Sequence, residues 1–294
     1  MEINFTNSKI DPLKMYGGYN GNKLGIIYQG ECYMLKFPPK ANLNQNMSYS
    51  NSCISEYVAC HIFNSLGIET QITILGRYKD KITVACKDFE TDGKLLKSFA
   101  QLKNTIIDSV QNGYGTDLLD ILNTINEQQI VMPDRLRSFF WEMFIGDTLL
   151  GNFDRHNGNW GFLVNTSTGT VDMAPIFDCG SCLYPQIEEK RMNYVMGNTD
   201  EIETRIFKYP TSAIQNDGKK INYFQFLMTT ENEDCLKALK TIADKINMQK
   251  IYSIVNTTPY ISDLHKEFLY TMIRERKEKI IDPALKRTLT FRQD

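Results

Sequence analysis

The chain has 294 residues, of which 42% are hydrophobic and 23% are charged, and its formal net charge is -2. This composition is typical of a globular protein with one large or two modest domains, and it excludes a disordered or fibrous chain. The near-neutral charge argues against a broad nucleic-acid-binding surface. The seven cysteines are odd in number and lack scaffold spacing, which predicts reduced thiols rather than a disulfide framework.

The first 88 residues are predicted to form a small β-rich domain. Short segments rich in β-branched and aromatic residues are separated by glycines there, a pattern typical of strands. The predicted strands are Leu24–Tyr28, Cys32–Phe37, Gln71–Leu75 and Ile82–Cys86. One helix, Ser52–Leu66, interrupts them and ends at Gly67.

Residues 89–294 are predicted to form a larger, mostly helical domain. The predicted helices are Leu95–Val110, Asp117–Asn126, Pro133–Leu150, Glu233–Ile246 and Ser262–Ile280. Two strands, Trp160–Val164 and Thr170–Met173, interrupt them around a turn. A small sheet domain followed by a helical domain is an α+β arrangement, and the cleft between the two suits a nucleotide.

An eleven-residue loop, Gly151 to Gly161, concentrates polar side chains after an apolar helix. It has the sequence G-N-F-D-R-H-N-G-N-W-G, in which Asp154 and Asn159 lie five positions apart, and Asp178 opens a D-x-G turn nineteen residues later. Phosphoryl transfer needs one carboxylate to position the attacking hydroxyl, and an amide and a second carboxylate to hold magnesium. We therefore predict that Asp154 is catalytic and that Asn159 and Asp178 bind Mg²⁺.

Other interpretations of these polar residues remain open. Asp154 is also suited to capping the turn before Trp160, and a carboxylate after a strand is common in turns. His156 is predicted to order the loop through a hydrogen bond rather than to act as the general base. Cys179 and Cys182 form a single C-x-x-C without a second pair, so neither zinc nor redox chemistry is expected there.

Lys36 and Glu56 are predicted to form an ion pair. Glu56 lies in the middle of an apolar helix and is the only charged residue between Lys40 and Glu69. An unpaired buried carboxylate is costly, so the helix requires a cationic partner. Lys36, at the end of an apolar strand, is the obvious candidate, although a lysine there can also extend to solvent. A strand lysine held by a helix glutamate is the kinase arrangement for gripping nucleotide phosphates.

A glycine-rich stretch precedes these strands and is predicted to cover the phosphates. Gly17, Gly18, Gly21 and Gly25 lead into the strand pair that ends in Lys36. The alternative is a flexible entry to a hairpin, because glycine richness alone is a weak signal. Lys23, within the stretch, is predicted to contact a phosphate.

Three stretches together resemble the HipA-type protein kinases, which are similar in fold to phosphatidylinositol 3- and 4-kinases. The stretches are Y-G-G-Y-N-G-N-K-L-G-I-I-Y with M-L-K-F-P, the loop G-N-F-D-R-H-N-G-N-W-G-F, and A-P-I-F-D-C-G, and they span residues 13–185. The resemblance implies a two-lobed protein-kinase-like fold, with a β-rich N-lobe (residues 1–88) and a mostly helical C-lobe (residues 89–294).

The resemblance also implies an activity and a set of ligands. It implies an ATP- and Mg²⁺-dependent serine/threonine protein kinase, with Asp154 catalytic, Asn159 and Asp178 as metal ligands and Lys36 as the ATP lysine. The hinge that binds adenine through its backbone would be Ala85–Phe89, which includes Cys86 and Asp88. The expected acceptor is a protein, including a second copy of the chain. A lipid kinase and a nucleotide-stabilised, non-enzymatic binding module remain alternatives.

Two departures from the family limit the comparison. HipA proteins that bind a DNA-binding antitoxin carry an additional amino-terminal subdomain, whereas here the glycine-rich loop begins within the first twenty residues, which argues against an antitoxin partner. The family's loop contains a regulatory serine, whereas residues 16–25 contain Tyr16 and Tyr19 but no serine or threonine. Regulation by loop serine phosphorylation is therefore not expected.

The sequence predicts a cytoplasmic protein without a membrane span. It has neither a secretory signal peptide nor a run of about 18 apolar residues. In size and motif wording, however, the chain resembles a small, cell-translocating member of the family, which implies delivery into a host cell. The basic segment from Arg274 to Arg292 is then a candidate address, although a solvated helix end is the favoured interpretation.

Overall fold

The structure is a computed structural model that describes residues 2–14, 16, 23–38, 50–107 and 112–290. Gly17 and Gly18, predicted to cover the phosphates, lie outside these ranges. The strands are β1 Lys9–Ile10, β2 Lys23–Tyr28, β3 Glu31–Lys36, β4 Thr73–Tyr78, β5 Lys81–Lys87, β6 Lys94–Ser98, β7 Gly161–Asn165, β8 Val171–Met173, β9 Gln215–Asn216 and β10 Lys219–Lys220.

Most of the chain after residue 98 is helical. The helices are α1 Ser52–Ser65, α2 Phe99–Ile106, α3 Leu118–Glu127, α4 Pro133–Leu150, α5 Glu189–Met196, α6 Thr199–Glu203, α7 Tyr223–Thr229, α8 Glu233–Ala243, α9 Met248–Thr257, α10 Asp263–Arg276 and α11 Asp282–Thr290. Two π-helical turns, Thr204–Lys208 and Lys277–Ile281, follow α6 and α10. None of the helices in the described ranges is both long and apolar enough to cross a membrane.

A five-stranded antiparallel sheet forms the β-rich lobe, in the order β1-β2-β3-β5-β4. Its register sets Lys23, the first residue of β2, opposite Lys36, the last residue of β3. Helix α1 packs on β4 and β5. The strand ends that carry both lysines are thereby brought to the edge of the sheet that faces the helical lobe.

Helix α1 also packs closely on α4 of the helical lobe. A Cβ atom added at Gly146 would lie 2.2 Å from Cε1 of Phe63, so glycine is what allows the two helices to approach. Phe63 belongs to an apolar core that continues through α4 to Phe144 and Trp141. This shared core fixes the helix that carries Glu56 relative to the loop that follows α4.

One predicted helix begins too early. The residues Leu95–Ser98, expected to be helical, belong to strand β6, which pairs with β7, and the helix begins only at Phe99. Ser98 and Gln101 form a capping box there, with Gln101 N donating to Ser98 Oγ at 3.3 Å and Ser98 N donating to Gln101 Oε1 at 2.9 Å. Strand β6 forms because β7, about 65 residues later in the sequence, supplies its hydrogen bonds. No local sequence pattern indicates this pairing.

Several elements of the helical lobe are absent from the sequence prediction. The predicted last helix, Ser262–Ile280, corresponds to α10 and the π-helical turn that follows it, and α5, α6, α7, α9, α11 and the β9–β10 hairpin were not predicted. The hairpin did carry a signal: its turn is Asp217-Gly218, a pair that favours two-residue turns between strands. Its strands are two residues long, which is too short for period-two alternation to be visible.

Candidate active site

A cavity of about 660 Å³ opens between the sheet and the helical lobe. Most of the predicted site residues line it, although they come from distant parts of the chain. They are Lys23, Lys36, Glu56, Asp88, Asp154, His156, Asn159 and Asp178. Cys86 does not line the cavity, because it lies within β5 between Met34 of β3 and Thr73 of β4 and is fully buried.

Lys36 joins the two lobes at the centre of this cavity. Its Nζ lies 2.9 Å from Glu56 Oε2 and 3.1 Å from Asp178 Oδ1. The other carboxylate oxygen of Glu56 accepts a hydrogen bond from the backbone N–H of Cys179 at 3.0 Å. Glu56 is therefore satisfied on both oxygens, and it links the strand lysine to the turn that carries Asp178. The predicted pairing of Lys36 with Glu56 is present.

The charges of this cluster shift one another's pKa values. Lys36 holds the pKa of Asp178 down, to about 2, so this carboxylate is ionised at neutral pH. Burial alone would lower the pKa of Lys36, but Asp178 and Glu56 raise it well above its ordinary value. Burial and the nearby Lys36 cation lower the pKa of Lys23. Two cations thus share one wall of the cavity, an arrangement suited to a polyanion.

The loop after α4 is held by hydrogen bonds among its own residues. Asp154 N donates to Asn152 Oδ1 at 3.0 Å, and Asn159 Nδ2 donates to the Asp154 carbonyl at 2.9 Å. His156 Nδ1 accepts a hydrogen bond from Gly158 N at 3.0 Å, which is the loop-ordering role expected for it. These bonds bring Asp154 and Asn159 to the cavity together.

Asp154 is half-buried at the mouth of the cavity. Burial raises its pKa, and the nearby negative charge of Asp178 acts in the same direction. The nearby His156 and Lys220 oppose the rise. A carboxylate whose pKa is raised is a better proton acceptor than an ordinary aspartate, as a general base requires.

Sequence reasoning missed a second ion pair, which lies beneath the cavity floor. Arg155 Nε lies 3.0 Å from Asp147 Oδ2, and both side chains are almost completely buried. Arg155 also donates to the carbonyls of Asn159 and Phe177, so one guanidinium holds both the loop after α4 and the segment before Asp178. The signal was available: Asp147 is the only charged residue between Glu142 and Asp154, within an apolar helix. The reasoning that predicts a cation for Glu56 predicts one here as well.

The predicted hinge segment, Ala85–Phe89, spans the end of β5 and the residues that follow it. Asp88 N donates to the Cys32 carbonyl, and the Asp88 carboxylate lies 2.8 Å from Lys14 Nζ and 2.7 Å from Tyr16 Oη. Burial disfavours this charge, but hydrogen bonds from Lys14, the Glu90 backbone and Tyr16 hold the pKa of Asp88 below its ordinary value. The backbone of Cys86 belongs to the sheet, whereas Asp88 and Phe89, later in the same segment, line the cavity.

The two lobes and their shared cleft define a kinase-like protein. The chain matches the family model for the HipA-like C-terminal domain over residues 18–274. It is 53% identical over 288 residues to the serine/threonine-protein kinase CtkA of Helicobacter pylori, covering 98% of this chain and 89% of that protein. It therefore belongs to the HipA-like family, and the predicted family resemblance is confirmed.

Solved structures agree with this assignment. The crystal structure of the proinflammatory kinase CtkA of Helicobacter pylori matches with a TM-score of 0.94 at 52% identity, and the match covers 99% of each chain. HipA of Shewanella oneidensis, solved with HipB and operator DNA, matches with a TM-score of 0.57 at 13% identity, over 94% of this chain and 70% of that chain. The predicted α+β kinase-like fold is confirmed, as is the likeness to a small member of the family.

Proposed function

We propose that this chain is a serine/threonine protein kinase that transfers the γ-phosphoryl group of ATP with the help of Mg²⁺. The observation that carries the proposal is the position of Lys36 Nζ, between Glu56 at 2.9 Å and Asp178 at 3.1 Å, in the same cavity as Asp154 and Asn159. A lysine, a metal-binding carboxylate and amide, and a separate carboxylate for the hydroxyl are the parts that phosphoryl transfer needs.

The residues present fit a magnesium ion. The ionised carboxylate of Asp178 has 45% of its side chain exposed, and Asn159 uses its Nδ2 in the loop while its Oδ1 accepts no hydrogen bond from a described residue. Magnesium prefers oxygen ligands and is usually held by one or two protein groups together with substrate phosphates. Asp178 and Asn159 would hold it, and the bound ion would neutralise charge that develops on the phosphoryl oxygens. No trio of His, Cys, Asp or Glu in the described ranges forms a protein-only metal site, which agrees with this mode of binding.

In the proposed mechanism, Glu56 orients Lys36 on the α and β phosphates. Lys23, opposite Lys36 in the sheet, adds a second cation on the same side. Asp154 orients the acceptor hydroxyl and takes its proton as the new O–P bond forms and the bond to the β-phosphate oxygen breaks, releasing ADP. The division of the chain into an N-lobe of residues 1–88 and a C-lobe of residues 89–294 is part of the same proposal.

Serine and threonine are proposed as acceptors because the 53% identical relative carries the name serine/threonine-protein kinase. A second copy of this chain is one proposed acceptor. No described feature favours an antitoxin partner. Delivery into a host cell stays a proposal that follows from the likeness to CtkA. The basic segment from Arg274 to Arg292 is a poor candidate for a targeting signal, because several of its charges are already engaged. Arg276 is buried, Lys277 pairs with Asp282, and Lys279 pairs with Glu203 and Glu275.

Transfer of label from γ-labelled ATP tests the proposal. The purified protein is incubated with magnesium and with itself, a basic protein, an acidic protein or phosphoinositide vesicles, beside the variants Asp154→Asn and Asp178→Asn. We expect label on protein serine or threonine for the wild type and its loss in both variants, with magnesium-dependent ATP binding lost only in Asp178→Asn. Label confined to lipid would replace the proposal with a lipid kinase. ATP binding without any transfer would indicate a nucleotide-stabilised binding module.

A further inference from the structure

Beside Asp154, the cavity that holds Lys36 and Asp178 is also lined by Tyr114 and His156. Three chain segments meet there: the loop before α3, the catalytic loop and the β9–β10 hairpin. We call four of their side chains the acceptor platform: Tyr114, Lys219 and Lys220, which are exposed, and His156, which is half-buried. An acceptor hydroxyl must reach Asp154 opposite the nucleotide, so this platform is where the residues flanking that hydroxyl would lie.

The hairpin that carries the two lysines is held firmly beside the catalytic loop. Its turn residues, Asp217 and Gly218, have φ angles of 52° and 72°, the positive values of a tight two-residue hairpin turn. At its start, Gln215 N donates to the Thr116 carbonyl at 2.8 Å. Just after its end, the hydroxyl of Tyr223 donates to the carbonyl of Asn152, two residues before Asp154. Lys219 and Lys220 therefore lie on a hairpin that these hydrogen bonds hold in place, and not on a free loop.

The aromatic half of the platform is built around Gly158. A Cβ atom added at Gly158 would lie 2.9 Å from both Tyr114 Cε1 and His156 Cε1, so both rings pack against the glycine. Their ring centroids are 6.1 Å apart, and Tyr114 remains 55% exposed. The loop that carries Tyr114 is tied to the catalytic loop, because Asn157 Nδ2 donates to the carbonyls of Gly113 and Gly115 at 3.0 and 2.8 Å. An exposed aromatic ring held in this way offers a contact surface to an extended peptide.

The charged half of the platform is basic. Lys219 and Lys220 are both exposed, and neither forms an ion pair with a described residue. The charge of Lys220 reaches the carboxylate of Asp154. The acid nearest in the hairpin is Asp217, which lies at the turn and is contacted by Asn216 Nδ2. Lys220, whose charge reaches Asp154, and Lys219, next to it in the chain, attract negative charge and repel positive charge in whatever flanks the hydroxyl.

We propose that the acceptor platform selects serine or threonine acceptors flanked by acidic side chains. This rests on the proposed function, because it names the substrate class of the same site. Acidic flanks would pair with Lys219 and Lys220 while Tyr114 and His156 contact the peptide. Exposed ion pairs contribute up to about 1 kcal/mol, which is about 5-fold in affinity, so the two lysines supply a preference of about 5- to 30-fold.

A charge-reversal experiment tests this proposal. Three peptides are compared that differ only in whether Glu, Ala or Lys flanks a single serine, and kcat/KM is measured for each with saturating ATP and magnesium. We expect the wild type to prefer the Glu peptide to the Ala peptide by about 5- to 30-fold and to use the Lys peptide least. The double variant Lys219→Glu/Lys220→Glu should reverse this order while its KM for ATP and its melting temperature stay close to those of the wild type. The wild-type preference should also weaken as salt is raised from 0.05 to about 0.5 M, because exposed charges are screened.

The matched control is Lys237→Glu/Lys240→Glu, which reverses two exposed lysines on α8, a helix that packs on the far side against α4. It should keep the wild-type order of peptides. Equal kcat/KM for the three peptides in the wild type would overturn the inference and leave the kinase proposal intact. A raised KM for ATP in the hairpin variant with unchanged peptide preference would also overturn it, since the lysines would then serve the nucleotide. Absence of transfer to every acceptor would overturn both proposals.

Discussion

Two ion-pair clusters, Arg155–Asp147 and Lys36–Glu56–Asp178, differ in how far they are exposed to solvent. Arg155 and Asp147 are enclosed, with side-chain exposures of 1% and 2%, and every contact that they make is to the protein. Lys36 and Glu56 pair just as closely, but their cluster includes Asp178, whose side chain is 45% exposed in the cavity. The enclosed pair has no capacity left for a ligand, whereas the open cluster does. This contrast fits the proposal that the enclosed pair is scaffold and the open cluster is the working site.

Removal of Arg155 is expected to have the largest effect on stability. Arg155→Met leaves the buried carboxylate of Asp147 without a cation, so the free energy of unfolding should fall by about 3–5 kcal/mol, measured by urea denaturation. The double variant Arg155→Met/Asp147→Leu should recover most of that loss, because no charge is then stranded. Its kcat should stay low, since the hydrogen bonds to the Asn159 and Phe177 carbonyls are gone. Full stability in the single variant would show that the enclosed pair is not scaffold.

Removal of Lys36 is expected to act chiefly on catalysis. Lys36→Met should lower kcat/KM for phosphoryl transfer by about 10²–10³-fold, the usual effect of losing one preorganised group that stabilises developing charge. The free energy of unfolding should change less than in Arg155→Met, because Asp178 is partly hydrated. The control is Lys266→Met, which removes a lysine that pairs with Asp263 on α10, outside the cavity lining. A Lys36→Met protein with nearly normal kcat/KM would contradict the assignment of the open cluster as the working site.

His265 tests, with a smaller expected effect, how burial changes the pKa of a group that lacks a charged partner at close range. Burial lowers its pKa from 6.5 to about 4, and Glu189 only partly opposes this. Between these pH values the unfolded chain binds a proton that the folded chain does not, so the free energy of unfolding should fall by about 1.4 kcal/mol per pH unit as pH decreases from about 6.5 to about 4.

The measurement is the difference in free energy of unfolding between wild type and His265→Leu across that pH range. The difference should shift in favour of the variant as pH falls, which removes the contribution of the other titrating groups. A constant difference would show that His265 is charged in the folded protein. His265 would then resemble Lys36, which stays charged although it is buried. Burial alone would then not distinguish a buried neutral group from a buried ionised one.

Much of the site was predictable because its signals are local. Asp154, Asn159 and His156 lie within six residues, and a loop this short forms its own hydrogen bonds wherever it is placed. The Lys36–Glu56 pair was predictable for a different reason: a single charge in an apolar helix demands a partner, and few cations were available. The helix α4 has the bounds expected from its sequence, Pro133–Leu150, because proline begins it and Gly151 follows it.

The sequence by itself determined the family, the cluster of polar residues after α4 and the need for a cation near Glu56. Only the tertiary structure decided which contacts cross the chain. It turned Lys94–Ser98 into a strand by supplying β7 as a partner, and it enclosed Asp147 with Arg155 while leaving Asp178 open. It also gathered Tyr114, His156 and the lysines of β10 around Asp154. Capping, periodicity and charge spacing act over a few residues. Strand pairing, enclosure of charges and convergence on the cavity depend on segments up to 142 residues apart, and no local pattern encodes those contacts.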